Sequence, residues 1–501
     1  MTPPTDPTLA RYQMWIGGGP SEATDERTIE TVNPATGSPW ALIPDASPSD
    51  VDRAVAAARA AFVDPSWAGL TPTARGLLLI RLADLIDENA ERLAAVETRD
   101  NGKLLKEMRA QAQALGRWFR FFGGMADKLE GTVPAIDQPT VLNYTLREPV
   151  GVVAAIAPWN SPLLLATWKL APALAAGNTL VVKPSEYTST SMLELVPLFE
   201  RAGFPAGVVN VVTGNGAVCG SALSAHSKID RIAFTGGPET AIAIARSAAD
   251  RLVPATFELA GKSANIVFSD ADLDAAEAGV LAGIFAAAGQ TCIAGSRMLV
   301  QREIQGELVQ RIVDRAKAIR LGDPTDADTQ MGPAATAAQL SKIEGFVSEA
   351  VADGAEIAAG GRAPDDPALG DGYFYEPTVL TEVTPEMRIA QEEVFGPVLA
   401  VIPFDDEADA VRIANGTPYS LAAGVWTNAL KRAHRMARSL NAGTVWINTY
   451  RAVAPMSPFG GSGMSGHGRE SGVEAIREMT KVKSVWVELS DTVQDPFTLR
   501  V

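Results

Sequence analysis

The chain has 501 residues, with 59 Asp and Glu against 43 Lys and Arg, for a formal net charge of −16. At 47% hydrophobic residues it is too apolar for a disordered chain and long enough for two or more domains. Two cysteines exclude a disulfide framework, three histidines leave little for a zinc site, and the acidic balance argues against nucleic acid or an anionic membrane as partner.

The N-terminus lacks the basic head and apolar run of a secretory signal, and its first ten residues read as a loose tail. No stretch approaches the ~18 uninterrupted apolar residues of a membrane helix. A reducing cytoplasm is the expected location.

Ser47-Pro48-Ser49-Asp50 looks like a capping box that opens a helix. A second helix starts at Thr71-Pro72, carries Leu78, Leu82, Leu85, Ile86 and Leu93 on one face, and stops at Asn101-Gly102. Val141–Glu148 alternates like a strand. From residue 150 the rhythm changes. Val152–Ala157, Thr179–Val182, Val208–Val212, Ile232–Phe234 and Ala255–Leu259 read as buried strands, with helices near 162–176, 188–202, 216–225 and 238–251 between them. That alternation predicts a doubly wound, Rossmann-like α/β domain, which binds ligands beyond the carboxyl ends of its strands. Residues 262–460 repeat it more loosely, as a second α/β domain. A helix over 272–288 ends at Gly289, and Lys481–Leu489 is a further alternating strand. Both peripheral strands are candidates for pairing with another subunit.

Several residues could carry chemistry. Cys292, in the turn after Gly289-Gln290-Thr291, is either a nucleophile or a buried structural thiol. Glu258, at the end of a strand, is either a general base or the partner of Lys262. Asn160, after Pro158-Trp159, is either an oxyanion donor or a turn residue. Gly214-Asn215-Gly216 and Thr235-Gly236-Gly237 could approach a phosphate, though neither is a full dinucleotide fingerprint. Lys183-Pro184-Ser185-Glu186 could bind a ribose, and Glu186 would repel a 2′-phosphate.

Taken together, PWN at 158–160, KPSE at 183–186, GFPAGVVNVVTG at 203–214, FTGG at 234–237, ELAGK at 258–262, GQTC at 289–292, EEVFGPV at 392–398 and SPFGG…GRE at 457–470 resemble the aldehyde dehydrogenase superfamily, from about Trp15 to Val487. The resemblance implies a cofactor domain over 1–130 and 150–259, a catalytic domain over 260–465, and oligomerisation strands over 131–149 and 480–501. It implies oxidation of a small-molecule aldehyde to the acid, with NAD preferred over NADP. Cys292 would form a thiohemiacetal and then a thioester. Asn160 would hold the oxyanion, and Glu258 would activate the hydrolytic water. Lys169 and Glu470 match a proton relay behind Glu258. Trp159, Lys183, Ser185, Glu186, Gly214, Gly236, Gly237, Glu393 and Phe395 match cofactor-binding positions. Trp168, Tyr450, Arg451 and Phe459 fall where substrate would lie. Arg451 would favour a distal carboxylate, unless it faces solvent or an acidic neighbour. No metal is implied, and a homodimer or homotetramer is.

Ala260, Gly237 and Pro238 depart from common family residues. Two alternatives stand beside the hydrolytic reading: a CoA-acylating relative, which generally lacks the glutamate present here as Glu258, and an inactive binding or structural relative.

Overall fold

The computed structural model describes residues 9–492 together with Asp495 and Phe497. The expected tail at 1–8 and the last residues of the 480–501 segment lie outside them. The tail expectation overreaches at Ala10, which pairs with Ala41 in a short strand.

Two large sheets dominate. The first has eight strands, in the order Gly466–His467, Ala255–Glu258, Arg231–Thr235, Val152–Ile156, Thr179–Lys183, Val209–Val211, Met14–Ile16, Gly19–Ser21. Its five central strands are parallel. They are buried almost throughout, which is why their sequences are continuous rather than alternating. The order reverses between Val152–Ile156 and Arg231–Thr235. The crevice at such a reversal is where open α/β sheets bind ligands. The second sheet has seven strands, six of them in parallel pairings, with Ala264–Val267 next to Arg297–Gln301 and Ala422–Trp426.

The helices follow their punctuation. Pro48–Val63 begins with the Asp50 carboxylate accepting the Ser47 N–H at 2.8 Å. Pro72–Asn101 is capped by Thr71 and ends on left-handed Gly102. The predicted 188–202 helix is split into Thr190–Leu195 and Pro197–Ala202 by Pro197, whose ring and missing N–H interrupt the ladder. The predicted 272–288 helix stops earlier, at Ile284. Ala287 and Ala288 then take left-handed φ of 55° and 50°.

The two peripheral strands find each other within the chain. Val141–Pro149 and Thr480–Glu488 pair with each other, antiparallel over nine residues, as a separate two-stranded ribbon. Each supplies the other's backbone partners, so no second subunit is needed for their pairing within the chain.

Candidate active site

Three chain segments meet at the crevice. Val152–Ile156 leads into Pro158, Trp159 and Asn160; Arg231–Thr235 leads into Gly236 and Gly237; Ala255–Glu258 ends on the carboxylate of Glu258. Together with Cys292 they line one cavity. An adjoining cleft of about 1540 Å³ shares Pro158, Trp159, Thr235, Gly236 and Gly237, and extends to Lys183, Ser185 and Glu186. One channel therefore runs from Glu186 to Cys292.

The turn carrying Cys292 is pinned from outside. The Asn160 amide donates to the Gln290 carbonyl at 3.0 Å. The Gln290 side chain donates to the Pro333 carbonyl and accepts the Ala335 N–H. The Ala287 N–H donates to a Glu107 carboxylate oxygen at 2.9 Å. Gly261 backs onto the same turn, where a Cβ would lie 2.3 Å from the Cys292 carbonyl. Burial pushes the Cys292 thiol up to about 12, Glu393 and Glu258 add to this, and Lys103 works the other way.

Glu258 is 4% exposed, and neither carboxylate oxygen has a hydrogen-bond partner. Burial raises it well above the ordinary carboxylate range, and the neighbouring Glu470 carboxylate raises it further. The pairing with Lys262 does not form, because the Lys262 ammonium is buried without a hydrogen-bond partner. Behind Glu258, Lys169 is fully buried, forms an ion pair with Glu470 and donates to Thr235 Oγ1 at 2.6 Å. A carboxylate kept this bare is poised to take a proton rather than to hold a structure together.

Along the cleft, the Lys183 ammonium lies 3.0 Å from Glu186, which also accepts the Gly216 N–H. Burial works to raise Glu186, but these partners prevail and it titrates below its usual range. Gly237 caps the Pro238–Ala249 helix with open space where a Cβ would project, leaving room for a phosphate against the helix start. Glu393 accepts the Gly261 N–H at 2.8 Å, and Phe395 stands edge-on to Trp159 at 5.1 Å. Gly214 does not line the cleft. It is pressed against Ala46, and Gly216 and Gly220 take the lining positions.

The candidate substrate residues divide. Trp168 and Phe459 pack 5.0 Å apart within the apolar core that Cys292 and Tyr450 adjoin. Tyr450 donates to the Ile293 carbonyl at 3.0 Å, which braces the cysteine turn from behind. Arg451 donates to the Ala282 carbonyl at 3.0 Å. Sequence reasoning missed Gln339 and Lys342, which line the catalytic cavity beside Glu393. It also missed Lys103, Glu107 and the bracing role of Gln290. Only Gln290 stood inside a noted motif.

A model of the aldehyde dehydrogenase family matches residues 21–485. The chain belongs to that family. Its relatives include an Acinetobacter baylyi (Z)-2-((N-methylformamido)methylene)-5-hydroxybutyrolactone dehydrogenase, 48% identical over 98% of this chain and 100% of the relative. A Bacillus subtilis betaine aldehyde dehydrogenase is 41% identical over 94% of this chain and 96% of its own length. Among solved structures, betaine aldehyde dehydrogenase from Staphylococcus aureus in complex with NAD+ superposes with a TM-score of 0.95 at 40% identity, covering 97% of each chain. This aldehyde dehydrogenase is thus an oxidoreductase that converts an aldehyde to the carboxylic acid with reduction of NAD.

Proposed function

We propose that Cys292, Glu258 and Asn160 are the nucleophile, general base and oxyanion donor of a hydrolytic aldehyde dehydrogenase. The observation that carries this is Glu258: a buried carboxylate with two unpartnered oxygens, in the same cavity as Cys292 and Asn160. With its proton affinity raised by burial, Glu258 can accept the thiol proton and later that of a water molecule. The sulfur then attacks the aldehyde carbonyl, and the Asn160 amide and the Cys292 N–H steady the oxyanion. Glu470 and Lys169 hold a charge pair behind Glu258 and form its proton route.

The channel's dimensions and donors fit a dinucleotide. When bound there, NAD supplies a hydride acceptor. Trp159 and Phe395 wall the nicotinamide end, Glu393 meets the adjacent ribose, and the start of the Pro238–Ala249 helix faces the pyrophosphate. Lys183, Ser185 and Glu186 take the adenine-side ribose. Glu186 is ionised and already paired with Lys183, so an added 2′-phosphate would meet a negative charge. NAD is therefore preferred over NADP.

The rest of the assignment follows the same reading. A cofactor unit over 1–130 and 150–259 adjoins a catalytic unit over 260–465, in the cytoplasm. The ribbon of Val141–Pro149 and Thr480–Glu488 exposes Val482 and Trp486, at 59% and 56%, and joins copies into a dimer or tetramer. Among the described residues no helix is long and apolar enough to cross a membrane.

The test is NADH formation from simple aldehydes. Cys292→Ala abolishes it. Glu258→Gln slows the first equivalent of NADH, for want of a base for the thiol, and blocks the hydrolysis of the thioester that follows. Turnover that requires added coenzyme A would favour the acylating alternative instead.

A further inference from the structure

Two cations approach the cysteine turn from elements outside the cofactor channel. Lys103 follows the left-handed Gly102 that ends the Pro72–Asn101 helix, and is 2% exposed. Its ammonium donates to Ser161 Oγ at 2.9 Å, immediately after Asn160. Arg451 is half-buried, has a left-handed φ of 64°, and is tied to the Ala282 carbonyl at 3.0 Å. That carbonyl belongs to the helix leading into the cysteine turn. The two side chains feel each other's charge, and both feel Cys292.

Their charge is not balanced. Neither makes an ion pair among the described residues. Glu107 is the one carboxylate that acts on both. One Glu107 oxygen holds the Ala287 N–H, and the other is buried without a hydrogen-bond partner. Glu97 also faces Lys103, but burial pushes it up to about 8, so it is mostly neutral at pH 7. Two positive groups thus meet one negative group in a low-dielectric wall, where an unmatched charge is costly. An anion brought in by the substrate would match it. A guanidinium with free N–H groups suits a carboxylate in particular.

We propose that Lys103 and Arg451 form an anion-recognition subsite beside Cys292, and that the substrate is an aldehyde bearing a carboxylate at its far end. Lys103 is the buried fixed charge, and Arg451 is the accessible group that contacts the carboxylate. This rests on the aldehyde-oxidising reading of Cys292 and Glu258.

The experiment measures kcat/KM with three probes: 4-oxobutanoate, its methyl ester, and the cationic betaine aldehyde. The selectivity ratio of acid over ester is the readout. We expect it to exceed ten in the wild type and betaine aldehyde to be the poorest probe. Arg451→Gln should collapse the ratio by roughly 10- to 100-fold through KM, as expected for loss of a hydrogen bond to a charged group. Arg451→Lys should restore part of it. A wild-type ratio near one, a preference for betaine aldehyde, or an equal loss on acid and ester in Arg451→Gln would overturn the subsite. Failure of the underlying reading looks different: none of the three probes would yield NADH.

Discussion

The Asn160 amide nitrogen sits 3.0 Å from the Gln290 carbonyl oxygen, two residues before the nucleophile. One side chain thereby pins the cysteine turn, and in the proposed mechanism it also donates to the developing oxyanion. Asn160→Ala should lower kcat by about 10²- to 10³-fold, the usual cost of losing an oxyanion donor. Steady-state kinetics decides it, and a loss under tenfold would remove Asn160 from that role.

The Glu258 carboxylate predicts the pH dependence. Its raised proton affinity leaves the basic form scarce in acid, so kcat/KM should climb as pH rises through a value well above the ordinary carboxylate range. Glu470 contributes to that elevation, while Lys169 opposes it. Removing the Glu470 charge with Glu470→Gln should therefore move the ascending limb to lower pH. An unmoved or upward-shifted limb would refute the coupling.

Gly460 closes over the same carboxylate. A Cβ there would stand 2.4 Å from Glu258 Oε1 and 2.9 Å from the Gly468 carbonyl, at a φ of 146°. Gly460→Ala should destabilise the fold by about 1–3 kcal/mol and displace Glu258. Thermal denaturation and turnover should both fall. A variant with wild-type turnover would show that Glu258 is not held where the mechanism needs it.

The proposed preference for NAD turns on Glu186. Replacing it with alanine removes the charge that the proposal sets against a 2′-phosphate and frees Lys183. The NADP-to-NAD ratio of kcat/KM should rise at least about tenfold, equivalent to ~1.4 kcal/mol of lost repulsion. An unchanged ratio would place the discrimination elsewhere.

What could be read ahead of the structure was the part written in local pattern. The five parallel strands, the Thr71 cap, the Gly102 stop and the motif residues at strand ends all have short-range signals. The Gly466–His467 strand was not readable, because two residues carry no periodicity. The early end of the helix at Ile284 was not readable either. Just beyond it Glu107, 180 residues upstream, captures the Ala287 N–H where Ala287 and Ala288 turn left-handed. The ribbon partners look alike as strands, but their pairing with each other depends on residues more than 300 positions apart. Lys103 looked like the residue after a helix stop, and nothing local shows that its ammonium is buried beside Asn160.

The Gly466–His467 strand and the Lys169–Glu470 pair have a consequence for the order of events during synthesis. A growing chain that has released only 450 residues already carries Cys292, Asn160 and Glu258. It lacks the strand that closes the cofactor sheet against Ala255–Glu258 and the carboxylate that neutralises Lys169. Breaking a buried ion pair costs about 3–5 kcal/mol, so the packing of the helix bearing Lys169 is weakened until residue 470 arrives. A chain truncated before residue 466 should therefore be inactive towards aldehydes although it carries Cys292, Asn160 and Glu258.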